Sequence, residues 1–596
     1  MKKQSSGFRE KSWQSSAILF LAAIFFMVPS GCEKNGPSSK DQSENQSPAF
    51  RLLKKEQTGL NFENVIKQDL EFNVFNYMYF FNGGGIGAGD FNNDGLVDLF
   101  FTSNMGPNKL FLNKGGLKFE DVTALAGMEG LNGWTTGVSV VDINNDGLLD
   151  IYVSQVGDYK TIKGKNQLWV CQGIENGIPV FKDEAESYGL DFIGFSTQAS
   201  FFDYDQDGDL DMFLLNHSLH ANGTFGKRDV FKGTYHPESG DKLFRNDKGK
   251  FTNVTETSGI ISTVIGYGLG VVTGDINNDG WPDIYIGNDF HENDYLYINQ
   301  QDGTFKESLT EMIQHTSRFS MGVDMADINN DGNNDIISLD MMPEDPVILK
   351  SSLGEDDYGV FHFKLGYGYN YQFARNNLQI NNGDKTFSEV GIYAGVHATD
   401  WSWSPLFVDY DNDGYKDLFI SNGIPRRMND IDYVNYRKSN DDFRWKTQLD
   451  NTEKNDLAIV EKMPQIKLGN KFFKNTGHLQ FEDESKRVEN DLPSFSNGCV
   501  SIDLDNDGDL DMVVNNLEDE PFLYENLLSE KNANKGAYLS IAFNGPAQNR
   551  NGIGSTVVLF YKDGSILKNE FYPVRGYQSS ALTPLHVGVG AEANID

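Results

Sequence analysis

The sequence predicts an all-β chain: a seven-bladed β-propeller followed by a small C-terminal β module. Three observations carry that reading. An acid-rich nine-residue pattern recurs seven times, strand-like apolar runs flank the copies, and a second strand-forming element recurs after them. Such a repeat outweighs length, which for 596 residues would suggest three or four separate domains. Composition agrees. With 39% hydrophobic residues the chain can build a large core, and 61 glycines against 17 prolines indicate turns rather than linkers. The 86 acidic and 50 basic residues give a formal net charge of −36, which argues against nucleic acid as a partner.

At the N-terminus, Lys2, Lys3, Arg9 and Lys11 precede the apolar run from Ala17 to Val28, and Pro29-Ser30-Gly31-Cys32 follows. A positive start, a short apolar run and small residues before a break describe a secretory signal over residues 1–31. The run is too short to span a bilayer comfortably. Ser30-Gly31-Cys32 resembles the bacterial lipobox, which implies lipidation of Cys32, although Pro29 stands where that motif prefers an aliphatic residue. An ordinary cleaved signal with an incidental cysteine is the alternative. Residues 32–58 then read as a flexible tether. The chain is expected in the cell envelope as an outer-membrane lipoprotein, periplasmic or surface-facing, held to the membrane by its lipid. Cys171 and Cys499 lie in apolar strand-like runs and are expected as buried free thiols.

The repeated pattern is D-x-D/N-x-D-G-x-x-D. A calcium ion takes about six to eight oxygen ligands from a tight loop. Positions 1, 3, 5 and 9 offer side-chain oxygens, position 7 a backbone carbonyl, and the glycine at position 6 permits the turn. The candidate metal ligands are Asp90, Asn92, Asp94 and Asp98, then Asp142, Asn144, Asp146 and Asp150, then Asp203, Asp205, Asp207 and Asp211. They continue with Asp275, Asn277, Asp279 and Asp283, with Asp327, Asn329, Asp331 and Asp335, and with Asp409, Asp411, Asp413 and Asp417. Asp503, Asp505, Asp507 and Asp511 complete the set. Three or four carboxylates in one loop repel each other without a cation. Asp-Gly turn chemistry alone explains the turn but not the other acids. Up to seven structural Ca2+ ions are therefore expected. The flanking residues, such as Val138-Ser139-Val140-Val141, read as strands and not as the helices of an EF-hand.

After the first loop comes Asn108-Lys109-Leu110-Phe111-Leu112-Asn113, then Phe119-Glu120-Asp121-Val122, and similar pairs lead to Phe181, Phe251, Phe305, Phe387 and Phe481. Four strands per unit, repeated seven times, make a propeller. The final phenylalanine element is missing after Asn526, whereas Phe62-Glu63-Asn64-Val65 precedes the first loop. The N-terminus is thus expected to complete the last blade and remove the open sheet edges.

These loops make the chain resemble the FG-GAP/VCBS repeat family, which includes the integrin α-chain propeller and the cartilage acidic protein family, over residues 59–530. Within residues 531–596, Asn549-Arg550-Asn551-Gly552-Ile553-Gly554-Ser555, Gly576-Tyr577-Gln578-Ser579 and His586-Val587-Gly588-Val589-Gly590 resemble the ASPIC/UnbV module, here in part. The resemblance implies extracellular recognition of a glycan or a protein.

Five residues beyond each loop stand Ser103, Gln155, Asn216, Asn288, Asp340, Asn422 and Asn516. They read either as a polar collar around the central channel, suited to sugars or peptides, or as partners of the departing loops. Next to them, His217, His220 and His291 are candidates for a metal or acid–base site, and Arg426 and Arg427 for gripping a carboxylate. The candidate ligand ring is Asn216, His217, Asn288, His291, Asp340, Asn422 and Arg426. Two insertions, 341–375 with Tyr358, Phe361, Tyr367 and Tyr371, and 423–469, leave the same face. The leading functional reading is a calcium-stabilised binding module. A polysaccharide lyase or hydrolase and an accessory subunit of an outer-membrane complex are the alternatives. No Ser-His-Asp spacing, zinc motif or phosphate loop is written in the sequence.

Overall fold

The computed structural model describes residues 47–129, 133–220, 226–447, 457–531 and 536–590. Residues 1–31 and Cys32, the expected signal and lipidation site, lie outside the described residues. Among the described residues, seven sheets stand around one axis as the blades of a β-propeller, each built on four antiparallel strands, and two of them carry added strands. Blade one runs Ile86–Gly89, Asp98–Phe101, Lys109–Asn113 and Phe119–Asp121, and each strand pairs with the next in sequence. The inner strands of blades two to seven are Trp134–Val141, Ser196–Phe202, Gly268–Gly274, Val323–Ala326, Ser402–Val408 and Ser496–Ile502. Almost every residue of these strands is buried, because each sheet is covered on both faces by its neighbours. Such strands lose the polar–apolar alternation of a half-exposed sheet.

The core is divided into clusters that lie between successive blades. Ile86, Leu99 and Phe111 of blade one meet Val500, Ile502 and Val513 of blade seven. Leu406 and Phe419 of blade six meet Met512, Val514 and Tyr524. Cys171 and Cys499 are buried free thiols within this packing.

The N-terminus closes the ring, with a strand other than the expected one. Phe50–Leu53 forms the outer strand of blade seven, pairing antiparallel with Phe522–Asn526. Phe62 instead packs its ring on Phe101, 5.1 Å away, within blade one's core. Residues 50–53, assigned to the tether by the sequence reading, therefore belong to the propeller. The register gives the reason. Phe50 faces Asn526 as Phe119 faces Asn113, Phe251 faces Asn246 and Phe481 faces Asn475. Phe50 also stands ahead of a short helical turn and Gly59 with φ +79°, as Phe181 stands ahead of Gly189 with φ +77°.

The C-terminal module is not a separate body. Ala537–Ile541 pairs with Leu585–Gly590 and Thr556–Phe560 with Ile566–Glu570. Between them, Val574–Arg575 and Ser579–Leu582 enter the centre of the propeller, where Ser579–Leu582 lies parallel to Ile86–Gly89. The approach is close enough that a Cβ on Gly85 would lie 1.6 Å from the Gln578 carbonyl oxygen, so only glycine fits there.

Candidate metal loops and the two ends of the channel

Each acidic loop joins the first and second strands of its blade, so all seven lie at one end of the ring. In loop one, the Asp90 carboxylate accepts the backbone N–H groups of Asp94 and Gly95, Asn92 Oδ1 accepts that of Asp94, and Asp94 Oδ1 accepts that of Leu96. Position 6 needs a left-handed backbone, with φ +86° at Gly95 and +90° at Gly508. Position 4 does too, and is Asn in six loops, including Asn93 at φ 54° and Asn506 at φ 61°. Asn tolerates this region better than most residues.

The carboxylate at position 9 has a second task. Asp98 Oδ2 accepts the N–H of Phe91 within the loop, and Oδ1 accepts that of Asn113 at the end of the third strand. Asp283 and Asp335 make the same pair of bonds. The Asn that ends the third strand then reaches across blades: Asn113 Nδ2 donates to the carbonyls of Val97 and Leu504, and Asn475 Nδ2 to those of Lys416 and Ile328. Burial pushes the position-9 carboxyl up, to about 7 at Asp98, about 8 at Asp150 and Asp283, and about 9 at Asp211.

The side chains fit a cation. One oxygen or more from each of Asp203, Asp205 and Asp211 lies within 4.8 Å of the others, and the same holds for Asp409, Asp411 and Asp417, and for Asp503, Asp505 and Asp507. Asp203 Oδ1 and Asp411 Oδ1 are buried with no hydrogen-bond partner, which is costly for a carboxylate unless a cation faces it. Hard oxygen ligands of this kind suit calcium. Loop six differs, because the Lys474 ammonium bonds Asp413 at 2.9 Å and also bonds Asp411.

The module rests on this end of the ring. Arg550 donates to the Asn145 carbonyl, Lys568 Nζ to Asn278 Oδ1 at 2.6 Å, and His586 Nε2 meets Asn412 Oδ1 at 2.6 Å. Glu570 accepts the Asp275 N–H and the Asn334 amide. Arg575 grips Asp324 with two nitrogens, at 2.9 and 2.6 Å.

At the other end, the seven polar residues are partners of the departing loops, the second of the two readings, and do not form an open collar. Ser103, Gln155, Asn216, Asn288, Asp340, Asn422 and Asn516 are all buried. They bond the departing loops: Asn216 donates to Asp241 and Gly240, Asn288 to Asp294 and Asn293, and Asn422 to Asn470 and Gly469. Asp340 accepts from Ser317, Arg318 and Phe319. Over them lies an aromatic layer of Phe72, Tyr77, Phe80, Trp134, Trp403 and Tyr577. Sequence reasoning missed this cap, although the aromatic density of residues 72–81 signals it.

The candidate histidines are not assembled as one site. His217 is buried, with Tyr77 Oη 3.0 Å from Nε2 and Thr197 Oγ1 3.1 Å from Nδ1. His220 and His291 line one small cleft with Tyr267, Glu292 and Tyr369. Arg426 is half-buried; burial pushes the Glu518 carboxyl up, and the Arg426 charge offsets part of that effect. Arg427 is buried and does grip a carboxylate, but an internal one, Asp400 at 2.7 Å. The insertion 341–375 carries the helix Tyr358–Gly366, on which Tyr358 is 80% and Phe363 51% exposed.

The FG-GAP-like repeat family matches residues 90–153, 226–286, 275–338 and 366–420, and the ASPIC and UnbV family matches residues 545–596. The chain is 30% identical over 186 residues to cartilage acidic protein 1 of Xenopus tropicalis, covering 30% of this chain and 27% of that protein. It is 27% identical over 212 residues to the Mus musculus protein of the same name, covering 34% and 28%. The match thus spans roughly a quarter of those relatives' length. Among solved structures, it is similar to an Agrocybe aegerita lectin that recognises non-reducing terminal N-acetylglucosamine, with 13% identity, 72% of this chain and 88% of that one covered, and a TM-score of 0.33. It is also similar to the V. cholerae biofilm matrix protein Bap1, with 10% identity, 84% and 85% covered, and a TM-score of 0.31. The chain carries FG-GAP-like repeats and an ASPIC/UnbV region on a seven-bladed propeller, a fold consistent with a binding module.

Proposed function

We propose that this FG-GAP-repeat propeller is a calcium-stapled binding module of the cell envelope, lipid-anchored through Cys32, which recognises a glycan or an extracellular protein. The observation that carries the reading is the helix Tyr358–Gly366, whose polarity is inverted. Tyr358, Phe363 and His362 face solvent, while Lys364 is buried and paired with Asp356 at 3.0 Å. Each ring has a neighbour on the helix: the ring centroids of Tyr358 and His362 lie 4.3 Å apart, and those of Phe363 and Tyr367 4.2 Å apart. An exposed apolar patch on a rigid scaffold marks an interaction surface, and aromatic faces held in place stack on sugar rings or anchor a protein.

Calcium belongs to the scaffold in this reading. The ions neutralise the loop carboxylates and fix the end of the ring on which the module rests. The ligand face is the opposite end.

Native electrophoresis through gels with embedded polysaccharides, calcium present, tests the assignment. Retardation by one polymer, lost in Tyr358→Ala and Phe363→Ala, is expected if the ligand is a glycan. Retardation that both variants retain would remove the aromatic helix from the binding site. Clearing of the polymer would replace the binding module with an enzyme.

A further inference from the structure

At the calcium-loop end, a cavity of about 470 Å³ lies between the propeller and the C-terminal module. Apolar side chains such as Leu149, Val272, Met325 and Val500 line much of it. Its size is that of an ordinary small-molecule site.

The polar groups on its wall divide into spent and unspent. Asp90, Asp327, Asp409 and Asp503 reach its edge, but each accepts backbone N–H groups of its own loop and belongs to a metal-ligand set. Among the cations, Arg575 is paired with Asp324 and Lys568 with Glu570. Lys416, from blade six, lines the same cavity and makes no ion pair or side-chain hydrogen bond among the described residues, and the negative charges that act on it are the loop carboxylates Asp409, Asp417 and Asp327. Asn569 is 8% exposed and its Nδ2 has no partner, and Ser501 Oγ has none either. Both line the cavity.

With the loop carboxylates taken up by calcium, as proposed above, this wall offers an ammonium, a buried amide N–H and a hydroxyl beside apolar side chains and lacks an acceptor for them. Unsatisfied buried donors in a native fold call for a partner. We propose that this cavity binds a small organic anion, its charged group held by Lys416 with Asn569 and Ser501 and its apolar body against Val272, Met325 and Val500. The site is built jointly by propeller and module and lies at the end of the ring opposite the aromatic helix, so it stands independently of the glycan or protein reading.

The probe is 8-anilinonaphthalene-1-sulfonate, an organic anion whose fluorescence rises in apolar surroundings, titrated into the purified calcium-saturated protein and displaced with decanoate. One saturable site is expected, competed by decanoate and weakened about tenfold in Lys416→Met, the loss of one charged hydrogen bond. Ser501→Val is expected to weaken it several-fold and keeps the test open should Lys416→Met fail to fold. Absence of a saturable site, or equal affinity in wild type and a folded variant, would overturn the proposal. So would a site abolished by Phe363→Ala, which would put the dye on the aromatic helix.

Discussion

The Asn506 side chain donates its amide to the carbonyl of Gly95, 411 residues earlier in the chain, at 3.2 Å. The bond is one of a series. Asn93 reaches Gly147, Gln206 reaches Gly280, Asn278 reaches Gly332, Asn330 reaches Gly414 and Asn412 reaches Gly508. Position 4 of one acidic loop thus clasps position 6 of the next around the ring. Asn506 joins the last blade to the first. Asn506→Ala loses the bond and forces alanine into the left-handed region, so a loss of about 1–2 kcal/mol is expected from denaturant midpoints. Asn506→Gly loses the bond alone and should cost less. A glycine variant less stable than the alanine one would contradict this account.

Phe50 makes the other closure. It is buried against Tyr410 and Phe472, with ring centroids at 5.4 and 4.6 Å. Phe50→Ala should destabilise the protein by about 3–5 kcal/mol. Deleting residues 47–54 leaves Phe522–Asn526 as an unpaired edge, and concentration-dependent association by light scattering is the expected result.

What the sequence made legible follows from what is local. Loop spacing fixed the number of blades because each loop satisfies itself, Asp90 with Gly95 and Asp142 with Gly147. Closure is legible in kind but points to Phe62, because Phe62-Glu63-Asn64-Val65 repeats the phenylalanine element that ends the other blades, whereas the longer pattern from Phe50 to Gly59 carries the register. The polar collar was visible as seven polar residues. Its burial was not, because the covering Phe72, Tyr77 and Phe80 come from a segment before the first loop. The entry of Ser579–Leu582 into the centre rests on contacts almost 500 residues apart, such as Ile86 N–H to Ser579 Oγ, with a separation of 493. No local pattern encodes that.

His217 supplies a pH test away from the metal loops. Burial pushes its imidazole down to about 3 from the ordinary 6.5. The folded state holds it neutral while the unfolded chain protonates near 6.5, so its contribution is complete above 6.5 and is lost as pH falls toward 3. The slope in that window is at most about 1.4 kcal/mol per pH unit. His217→Gln removes the titration, and the stability–pH curve in calcium should flatten between 6.5 and 3. An unchanged slope would assign the acid sensitivity to other groups.

Arg575 and Asp324 test how the module is held. The Asp324 side chain is fully buried, and Arg575 is its ion-pair partner. Arg575→Met strands that carboxylate, at an expected cost of about 3–5 kcal/mol. Adding Asp324→Asn should recover part of the loss, since the stranded charge is gone. A double variant no more stable than Arg575→Met would show that packing of the arginine, not its charge, secures the module.

Lys474 bears on how many calcium ions the seven candidate loops can take. At the equivalent place in the third strand stand Leu112, Val170, Ile298 and Ile380, which carry no charge, Glu525 in blade seven, and Arg245 in blade three, whose charge acts on Asp205 but whose ion pair is with Asp247 outside the loop. In loop six the ammonium already bonds Asp411 and Asp413, so calcium must displace it, and the gain in electrostatic energy is smaller there. Chelation should lower the melting temperature of the whole protein, because ions bound only to the folded state stabilise it. In a calcium titration of chelator-treated protein, loop six should then be the weakest site or silent. Lys474→Met empties the loop of its resident charge, so the variant should gain one tight site, melting higher than wild type in calcium and lower in chelator. If Lys474→Met leaves both the stoichiometry and the two melting temperatures where they were, the lysine does not compete with the ion.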